Sequence, residues 1–443
     1  MTELIQSNAL PSSVRDPAPP PAHKPNVVHL ALAMGGFAIG TTEFATMSLL
    51  PYMARDLGVD APTCGHVISA YALGVVVGAP LIAVVSARIA RRSLLIGLML
   101  AFALANGLSA LAPSYGWMML FRFLSGLPHG AYFGIASLVA ASVVQQDRRT
   151  AAVGRVMMGL TVATIVGVPL ANLLGQMVGW RWGFAIVAAL ALITAALVAV
   201  FAPRDRAHTA ASPLRELGAL ARPQVWLTLG IGAVGFGGVF AVYTYLAPTL
   251  MHVTGAAPSA LPVVLAAFGV GMTLGNLILP RFADRALMPT AGVALVWSAG
   301  MLALYPLATH SLAVIALDLF GVGLGCAIAA VLQTRLMDVA GEAQALAAAL
   351  NHSAFNTANA LGPWLGGMAI SAGYGWASTG WVGCGLAIGG LLIWGVSVAR
   401  DRGEDAAAAK NRQPGGNLPA GGFSGGSVSP LKQATPDDAG ADI

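Results

Sequence analysis

The stretch of sequence that decides the fold is residues 224–280, QVWLTLGIGAVGFGGVFAVYTYLAPTLMHVTGAAPSALPVVLAAFGVGMTLGNLILP, which contains no Asp, Glu, Lys or Arg. A helix needs about 20 apolar residues to cross the hydrocarbon core of a bilayer, so this stretch is long enough for two spans and a turn between them. Residues 343–399 form a second uncharged stretch of the same kind. We therefore predict an integral membrane protein.

The composition of the whole chain supports this prediction. Among its 443 residues, 57% are hydrophobic and 9% are charged, whereas soluble domains have about 25% charged residues. An ordinary soluble enzyme is therefore excluded. Although the net charge is +5, the lysines are confined to Lys24, Lys410 and Lys432, so we expect no nucleic-acid partner. The cysteines have no CxxC spacing, and we expect neither a metal site nor a cofactor.

Apolar runs between charge clusters and turn residues predict twelve membrane-spanning helices. Their expected limits are 27–49, 65–87, 93–112, 117–143, 151–176, 180–202, 224–250, 260–281, 287–308, 311–335, 343–371 and 375–399. We therefore predict an all-α membrane protein of two six-helix bundles. Its expected parts are a disordered cytoplasmic tail over 1–26, a bundle over 27–202, a cytoplasmic linker over 203–223, a second bundle over 224–399 and a disordered cytoplasmic tail over 400–443.

The arginines predict which side of the membrane is cytoplasmic. Among the arginines near the ends of the predicted spans, only Arg55 and Arg181 fall on one side, and the rest fall on the other. Cytoplasmic loops are enriched in Lys and Arg. Both termini are therefore expected in the cytoplasm.

The two halves of the sequence echo each other. The echoes are residues 88–92 (RIARR) and 281–285 (RFADR) after the second and eighth spans, 167–169 (GVP) and 362–363 (GP) in the fifth and eleventh spans, and 179–180 and 375–376 (both GW) at the start of the sixth and twelfth. At matching places in two six-helix halves, they indicate an internal duplication, which is typical of secondary transporters.

Four ionisable side chains inside the predicted spans are candidates for proton coupling: Glu43, Arg122, His129 and Asp318. A charge at the centre of a bilayer costs about 2.5–3.5 kcal/mol on insertion scales, so such residues normally face a cavity or a partner. Glu43 and Arg122 are expected at similar depth, where they can pair across a cavity, with His129 two turns below Arg122. Alternatively, these residues lie at the interface, His129 binds a backbone carbonyl, and Asp318 is solvated near the outer surface.

Polar and aromatic stripes on other spans predict the lining of a substrate cavity. One stripe has the helical spacing i, i+4 and i+7 in the eleventh span, and another lies in the seventh span from Phe236 onward. Aromatic walls with few polar groups suit an amphiphilic organic ligand, although packing between helices explains such stripes equally well. The candidate cavity residues are Tyr71, Phe240, Tyr243, His352, Asn356 and Asn359.

Two motifs resemble those of a known family. Residues 40–44 (GTTEF), followed by Leu50-Pro51 and residues 56–58 (DLG), are similar to the first-span motif of the bacterial twelve-span drug:proton antiporters in the major facilitator superfamily. Residues 122–126 (RFLSG) resemble their fourth-span motif. That group includes arabinose-efflux-permease-like, purine-efflux and chloramphenicol-efflux proteins, and the resemblance covers residues 27–400.

The resemblance implies a function and a set of working residues. It implies proton-coupled efflux of a small organic molecule, such as a drug, sugar or nucleoside, by a monomer in the inner (plasma) membrane. Its partners would be the substrate, protons and the lipid bilayer, with Glu43 as the proton site and Arg122 in proton transfer. The loop after the second span departs from the superfamily pattern, because Ala87 stands where Asp is usual. The implied gating residues are Arg88, Arg91, Arg92, Asp284, Arg285, Gly167, Pro169, Gly362 and Pro363.

Two other functions remain open at this stage. One is proton symport or facilitated uptake of a sugar or nucleoside. The other is a nontransporting membrane sensor or scaffold that uses its C-terminal tail as the interaction element. An enzyme is not expected, because the sequence contains neither a GxxxxGK[ST] nor an HExxH motif.

Overall fold

Helices are the regular elements of the structure, a computed structural model that describes residues 24–85, 89–145, 148–204, 220–340 and 344–412. Its first half contains α1 (Pro25–Ser48), α2 (Leu50–Leu57), α3 (Ala61–Val85), α4 (Arg91–Ala110), α5 (Tyr115–Ser142), α6 (Arg149–Val162), α7 (Val168–Val178) and α8 (Trp180–Phe201). Its second half contains α9 (Pro223–Gly235), α10 (Gly237–Thr244), α11 (Leu246–Thr249), α12 (Leu261–Ala283), α13 (Leu287–Ala308), α14 (Leu312–Gly325), α15 (Ile328–Ala340), α16 (Gln344–Ala369) and α17 (Ser378–Arg412). No strand occurs in these ranges.

The predicted fold class is confirmed. Within the described ranges, eleven helical stretches are long and apolar enough to cross a membrane. The remaining predicted span is α16, which has the length of a span but carries the polar stripe of His352, Asn356 and Asn359. It packs against helices of both halves, including α3 and α10. Polar residues are tolerated there because the protein, rather than lipid, surrounds them.

Three of the predicted spans are interrupted rather than continuous. The fifth consists of α6 and α7 joined by a π-helical turn, Ala163–Gly167, in which the Val168 amide donates to the Ala163 carbonyl. Pro169 follows at once and has no amide hydrogen, so the wider turn accommodates the missing hydrogen bond. The seventh span is similarly divided into α9, α10 and α11, and the tenth into α14 and α15.

The last helix ends later than predicted. α17 continues to Arg412, so the predicted disordered tail does not begin at residue 400. The extension contains an Ala-rich run at 406–410, and Ala is the best helix former; Arg400 also binds Glu404 one turn away, with 3.1 Å between Nε and Oε1. The rest of that tail, residues 1–23 and linker residues 205–219 lie outside the described residues.

Glycines bring helices into backbone contact in both halves. On α3 and α5, Gly74 faces the Phe123 carbonyl and Gly126 faces the Tyr71 carbonyl, so neither position has space for a side chain. The matching helices of the second half, α12 and α14, meet in the same way through Gly271 and other glycines. Close approach through small residues is the usual way in which membrane helices associate. The shared arrangement agrees with the predicted duplication.

Among the residues that the structure describes, the apolar core is shared between the halves at one end. The described residues up to Val398 form one compact unit. At the end where α1 meets α2, here called the α2 end, one cluster joins residues of both halves, among them Leu50 and Tyr245. Toward the opposite end, here called the linker end, where α8 ends and α9 begins, each half has its own separate clusters. The halves are therefore sealed together at the α2 end.

We predict that Gly126→Ala lowers the free energy of unfolding by about 1–3 kcal/mol, because the added methyl group collides with the backbone of α3. The measurement is the unfolding transition of the purified protein in detergent. Gly134→Ala is the control on the same helix, since a methyl group there meets no atom within 4 Å. That control should be neutral or slightly stabilising; equal losses in the two variants would contradict the prediction.

Candidate functional site

A hydrogen bond joins the two halves at Glu43. This residue lies on α1 and is 7% exposed, and its Oε1 accepts a hydrogen bond of 2.9 Å from Nδ2 of Asn359 on α16. A buried carboxylate is costly unless it is paired or hydrogen-bonded, and a bond to an ionised acceptor is stronger than a neutral one. The polar stripe of α16 thus provides the partner that the buried carboxylate requires.

Arg122 is held beside Glu43 by uncharged groups. It lies on α5 and is 1% exposed, and its Nη1 donates to the hydroxyl of Thr42 at 3.2 Å and to that of Ser125 at 3.4 Å. The guanidinium also stacks on the ring of Tyr71, with 4.2 Å between Cζ and the ring centroid. Such a cation–π contact is strongest away from water.

The expected direct pairing of Glu43 with Arg122 is not formed. Among the residues that the structure describes, no ion pair joins them. Asn359 binds the carboxylate from the opposite half, while Thr42, the neighbour of Glu43 in sequence, binds the arginine. Thr42 in turn donates to Oδ1 of Asn106 at 2.9 Å. The two charged groups are therefore each hydrogen-bonded to uncharged hydroxyl and amide groups.

A row of rings continues from Arg122 toward the linker end. The Tyr71 hydroxyl and Nδ1 of His129 are 3.0 Å apart and hydrogen-bonded. The ring of Phe133 packs edge-on against His129, with centroids 5.4 Å apart, and stacks nearly parallel to His352 of α16 at the same distance. His129 therefore binds a side chain, rather than the backbone carbonyl considered as an alternative.

Phe44, the other neighbour of Glu43, contacts the aromatic side chains of the second half. Its ring centroid lies 6.2 Å from that of Phe240, 5.4 Å from that of Tyr243 and 6.4 Å from that of Phe268. Phe240 and Tyr243 of the predicted stripe thus face the first half. Phe44 and Phe268 were not among the predicted cavity residues, although Phe44 belongs to the GTTEF motif.

Comparisons with known proteins identify the family. The family model described as Major Facilitator Superfamily matches residues 32–345. The chain belongs to the major facilitator superfamily. It is 43% identical to the inner membrane transport protein YdhP of Escherichia coli (strain K12) over 376 residues, which are 84% of this chain and 96% of YdhP. It is also 36% identical to a chloramphenicol resistance protein of Streptomyces lividans, over 75% of this chain and 86% of that protein.

A solved structure supports the fold. The crystal structure of a bacterial homolog of the human lysosomal transporter Spinster, in an inward-facing and unoccupied conformation, matches with a TM-score of 0.63 at 19% sequence identity. The match covers 85% of this chain and 95% of that chain. At this identity the likeness concerns the fold alone. With the family established, the chain is a multi-pass membrane transporter.

Asp318 does not join the group around Glu43. It lies on α14, is 8% exposed, and its Oδ2 has no hydrogen-bond partner among the described residues. The alternative that Asp318 is solvated near the outer surface is wrong for this conformation. The part of the chain that the structure describes contains no group of three or more His, Cys, Asp or Glu that could hold a metal ion.

The gating residues implied by the superfamily resemblance are spread over several contacts. Arg88 lies outside the described residues. Arg92 on α4 donates to the Ala199 carbonyl of α8, and Arg91 precedes it at the start of α4. Asp284 and Arg285 are exposed and line a cavity of about 480 Å³ near the end of α12.

The motif glycines and prolines of this superfamily member lie at helix contacts. Gly167 closes the π-helical turn before Pro169 and faces the Thr41 hydroxyl of α1. Gly362 faces the backbone of α10, and the carbonyl of Pro363 accepts a 2.8 Å hydrogen bond from the Tyr245 hydroxyl.

Three polar residues of the site were not among the residues predicted from the sequence. Thr42, Asn106 and Ser125 form the polar surroundings of Arg122. Thr42 was within reach of prediction because it stands next to Glu43 in the first-span motif. Asn106 was not, because a single Asn in an apolar helix gives no periodic signal.

We predict that Tyr71→Phe lowers the free energy of unfolding by about 1 kcal/mol, because it removes the bond to His129 and keeps the ring beneath Arg122. Tyr71→Leu also removes the ring and should cost about 2 kcal/mol more. The midpoints of thermal unfolding in detergent measure this order. Tyr374→Phe is the control, since Tyr374 is 77% exposed; a Tyr71→Leu variant as stable as Tyr71→Phe would exclude the proposed contact with Arg122.

Proposed function

We propose that the transporter exports a small organic molecule in exchange for protons, by alternating access. The observation that carries this proposal is the bond between Glu43 and Asn359, which connects the two halves through a buried titratable carboxylate. A ligand changes a conformational equilibrium only if it binds two states with different affinities. A proton at Glu43 meets this condition if the bond differs between the states.

The chemistry of the bond gives the direction of the effect. An ionised carboxylate accepts a stronger hydrogen bond than a protonated one. Ionised Glu43 therefore stabilises the arrangement in which α1 and α16 are in contact, and protonation weakens that contact. Arg122 lies close enough to stabilise the ionised form without forming an ion pair with it. Proton binding and release can thus bias the motion of one half against the other.

The seal between the halves supports an assignment of the conformation. The halves share an apolar cluster at the α2 end and have separate clusters toward the linker end. By the distribution of arginines, the linker end and both termini are cytoplasmic and the α2 end is external. We assign the structure to a state closed to the outside. Glu43 would take up a proton when the α2 end opens and release it after that end has closed.

The aromatic groups near Glu43 support an organic substrate. Phe44, Phe240 and Tyr243 bring apolar ring surface to the contact between the halves, and apolar walls with a few polar groups suit an amphiphilic ligand. A similarity to a protein named for chloramphenicol resistance supports export over uptake. We propose that the transporter acts as a monomer in the inner membrane.

We predict that Glu43→Gln abolishes substrate-induced proton movement in everted membrane vesicles. In the wild type, an exported substrate added to energised vesicles should release protons from the preformed gradient, because transport and proton flow are coupled through Glu43. Substrates would be screened among drugs, sugars and nucleosides. Glu404→Gln is the control, since the Glu404 side chain is 60% exposed.

The outcomes of the vesicle experiment separate the candidate functions. Proton release in the wild type that persists in Glu43→Gln would exclude Glu43 as the coupling site. Substrate movement without any proton movement would indicate facilitated diffusion, and proton movement of the opposite sign would indicate symport. A phenotype that depends on the C-terminal tail and tolerates replacement of both Glu43 and Arg122 would indicate a sensor.

We predict that cysteines introduced at Arg55 and Arg285 are labelled from opposite sides of the membrane. Both positions are exposed; Arg55 lies at the α2 end and Arg285 at the linker end. In a background without the native cysteines, an impermeant maleimide added to intact cells should label Arg55→Cys. It should label Arg285→Cys only after the membrane is permeabilised. The reverse pattern would overturn the proposed orientation.

A further inference from the structure

Two amide groups on α16 are oriented in a way that specifies the chemistry of the substrate. We infer that the transported molecule presents at least two O–H or N–H donors, and that Asn356 and Asn359 bind it through their amide oxygens. This inference rests on the proposed function, because it names the substrate class of the same site. Such a site would favour amphiphiles that carry hydroxyl or N–H groups over purely apolar compounds.

The orientation of each amide follows from the partner of its nitrogen. Nδ2 of Asn359 donates to the carboxylate of Glu43 at 2.9 Å, and Nδ2 of Asn356 donates to the backbone carbonyl of His352 at 3.0 Å. The backbone carbonyl and the ionised carboxylate both accept hydrogen bonds, so while Glu43 is ionised the nitrogen end of each amide faces its partner. The oxygen ends are therefore the free ends.

Both free ends are buried and unsatisfied. Asn356 is 4% exposed and Asn359 is 0% exposed, and Oδ1 of each has no hydrogen-bond partner among the described residues. Native proteins satisfy nearly all of their buried polar atoms, so two oxygens without a protein partner on neighbouring turns are available to a donor from outside the protein. Contact between helices does not account for them, because a polar contact between helices would pair these oxygens.

The surroundings of the two oxygens form an amphiphilic environment. Residues three apart on a helix lie on the same face, with roughly 5–6 Å between their Cβ atoms, so the two amides project from neighbouring turns of one face of α16. The rings of Phe240 and Tyr243 approach Phe44, next to the carboxylate that Asn359 binds. The Tyr243 hydroxyl is also buried without a partner. Acceptors beside aromatic rings suit a molecule with donors on an apolar framework.

Asn359 connects this binding site to the proton site. One end of its amide binds Glu43, and the other end is free for the substrate. A donor bound to the oxygen polarises the amide and strengthens the hydrogen bond that its N–H group donates to Glu43, because linked hydrogen bonds reinforce one another. Substrate binding therefore favours ionised Glu43 and the release of its proton. This is the exchange that antiport requires.

The test compares ligands before and after acetylation, which removes hydroxyl donors. Chloramphenicol has two hydroxyls and one amide N–H, and its diacetate retains the N–H alone; adenosine has three hydroxyls and an amino group, and its 2′,3′,5′-triacetate retains the amino group alone. Equilibrium dialysis measures the binding of each compound to the purified full-length protein in detergent. We expect at least one parent compound to bind about tenfold or more tightly than its acetylated form, which corresponds to about 1.4 kcal/mol.

A variant assigns the preference to the amide. Asn356→Leu has a similar volume and no acceptor, and the Asn359 oxygen remains, so the preference for the parent compound of a discriminated pair should fall by about threefold or more without being lost. Asn351→Leu is the matched control: Asn351 lies on the same helix, and its Nδ2 is bound to Gln333 at 3.5 Å. This control should keep the wild-type preference, and thermal unfolding of each variant verifies folding.

Each outcome bears on the inference. Equal binding of the parent and acetylated compounds in both pairs, or no binding of any of the four, overturns it, and this comparison needs no variant. A preference of unchanged size in a folded Asn356→Leu protein overturns the assignment to that residue. Failure of antiport is a separate result: a donor preference in dialysis without proton movement in vesicles would contradict the proposed function and leave the binding chemistry standing.

Discussion

A carboxylate inside a membrane protein must be partnered, and Glu43 takes its partner from the opposite half of the molecule. The rest of the site is arranged around this constraint. Because Asn359 binds the carboxylate, Arg122 is left to the hydroxyls of Thr42 and Ser125 and the ring of Tyr71. The charges are thereby balanced at short range without direct contact. A direct ion pair between Glu43 and Arg122 would lie wholly within the first half. The observed hydrogen bond to Asn359 instead connects the halves, so its strength depends on whether Glu43 is protonated.

Much of the fold could be predicted from the sequence because lipid imposes a simple rule on composition. Uncharged runs of sufficient length predict spans, and among the described residues eleven of the twelve expected spans are long and apolar enough to cross a membrane. The rule fails where other forces act: Pro169 and the π-helical turn before it interrupt the fifth span, and an Ala-rich segment extends the last helix to Arg412 in spite of its charges. Both departures arise from backbone hydrogen bonding and helix propensity, which hydropathy does not measure.

The residues of the candidate site could be predicted from the sequence, but the contacts between them could not. Buried charges are rare in membrane spans, so Glu43 and Arg122 were conspicuous. The partner of Glu43 is 316 positions away in the chain, and no periodicity within one helix can indicate which residue of another helix will face it. The spacing of His352, Asn356 and Asn359 did predict a common face. That this face binds Glu43 and Phe133 in the first half could be learned only from the packing.

The glycine contacts between α3 and α5, and between α12 and α14, have a mechanical consequence. Where backbones touch, no side chains lie between the helices to change rotamer, so these pairs resist deformation and each half can turn as a stiff lever. A helix of 25 residues such as α3 is roughly 37 Å long. In the proposed alternating-access motion, a small rotation of one half against the other would be magnified along that length, so the ends of the helices would move much farther than their middle.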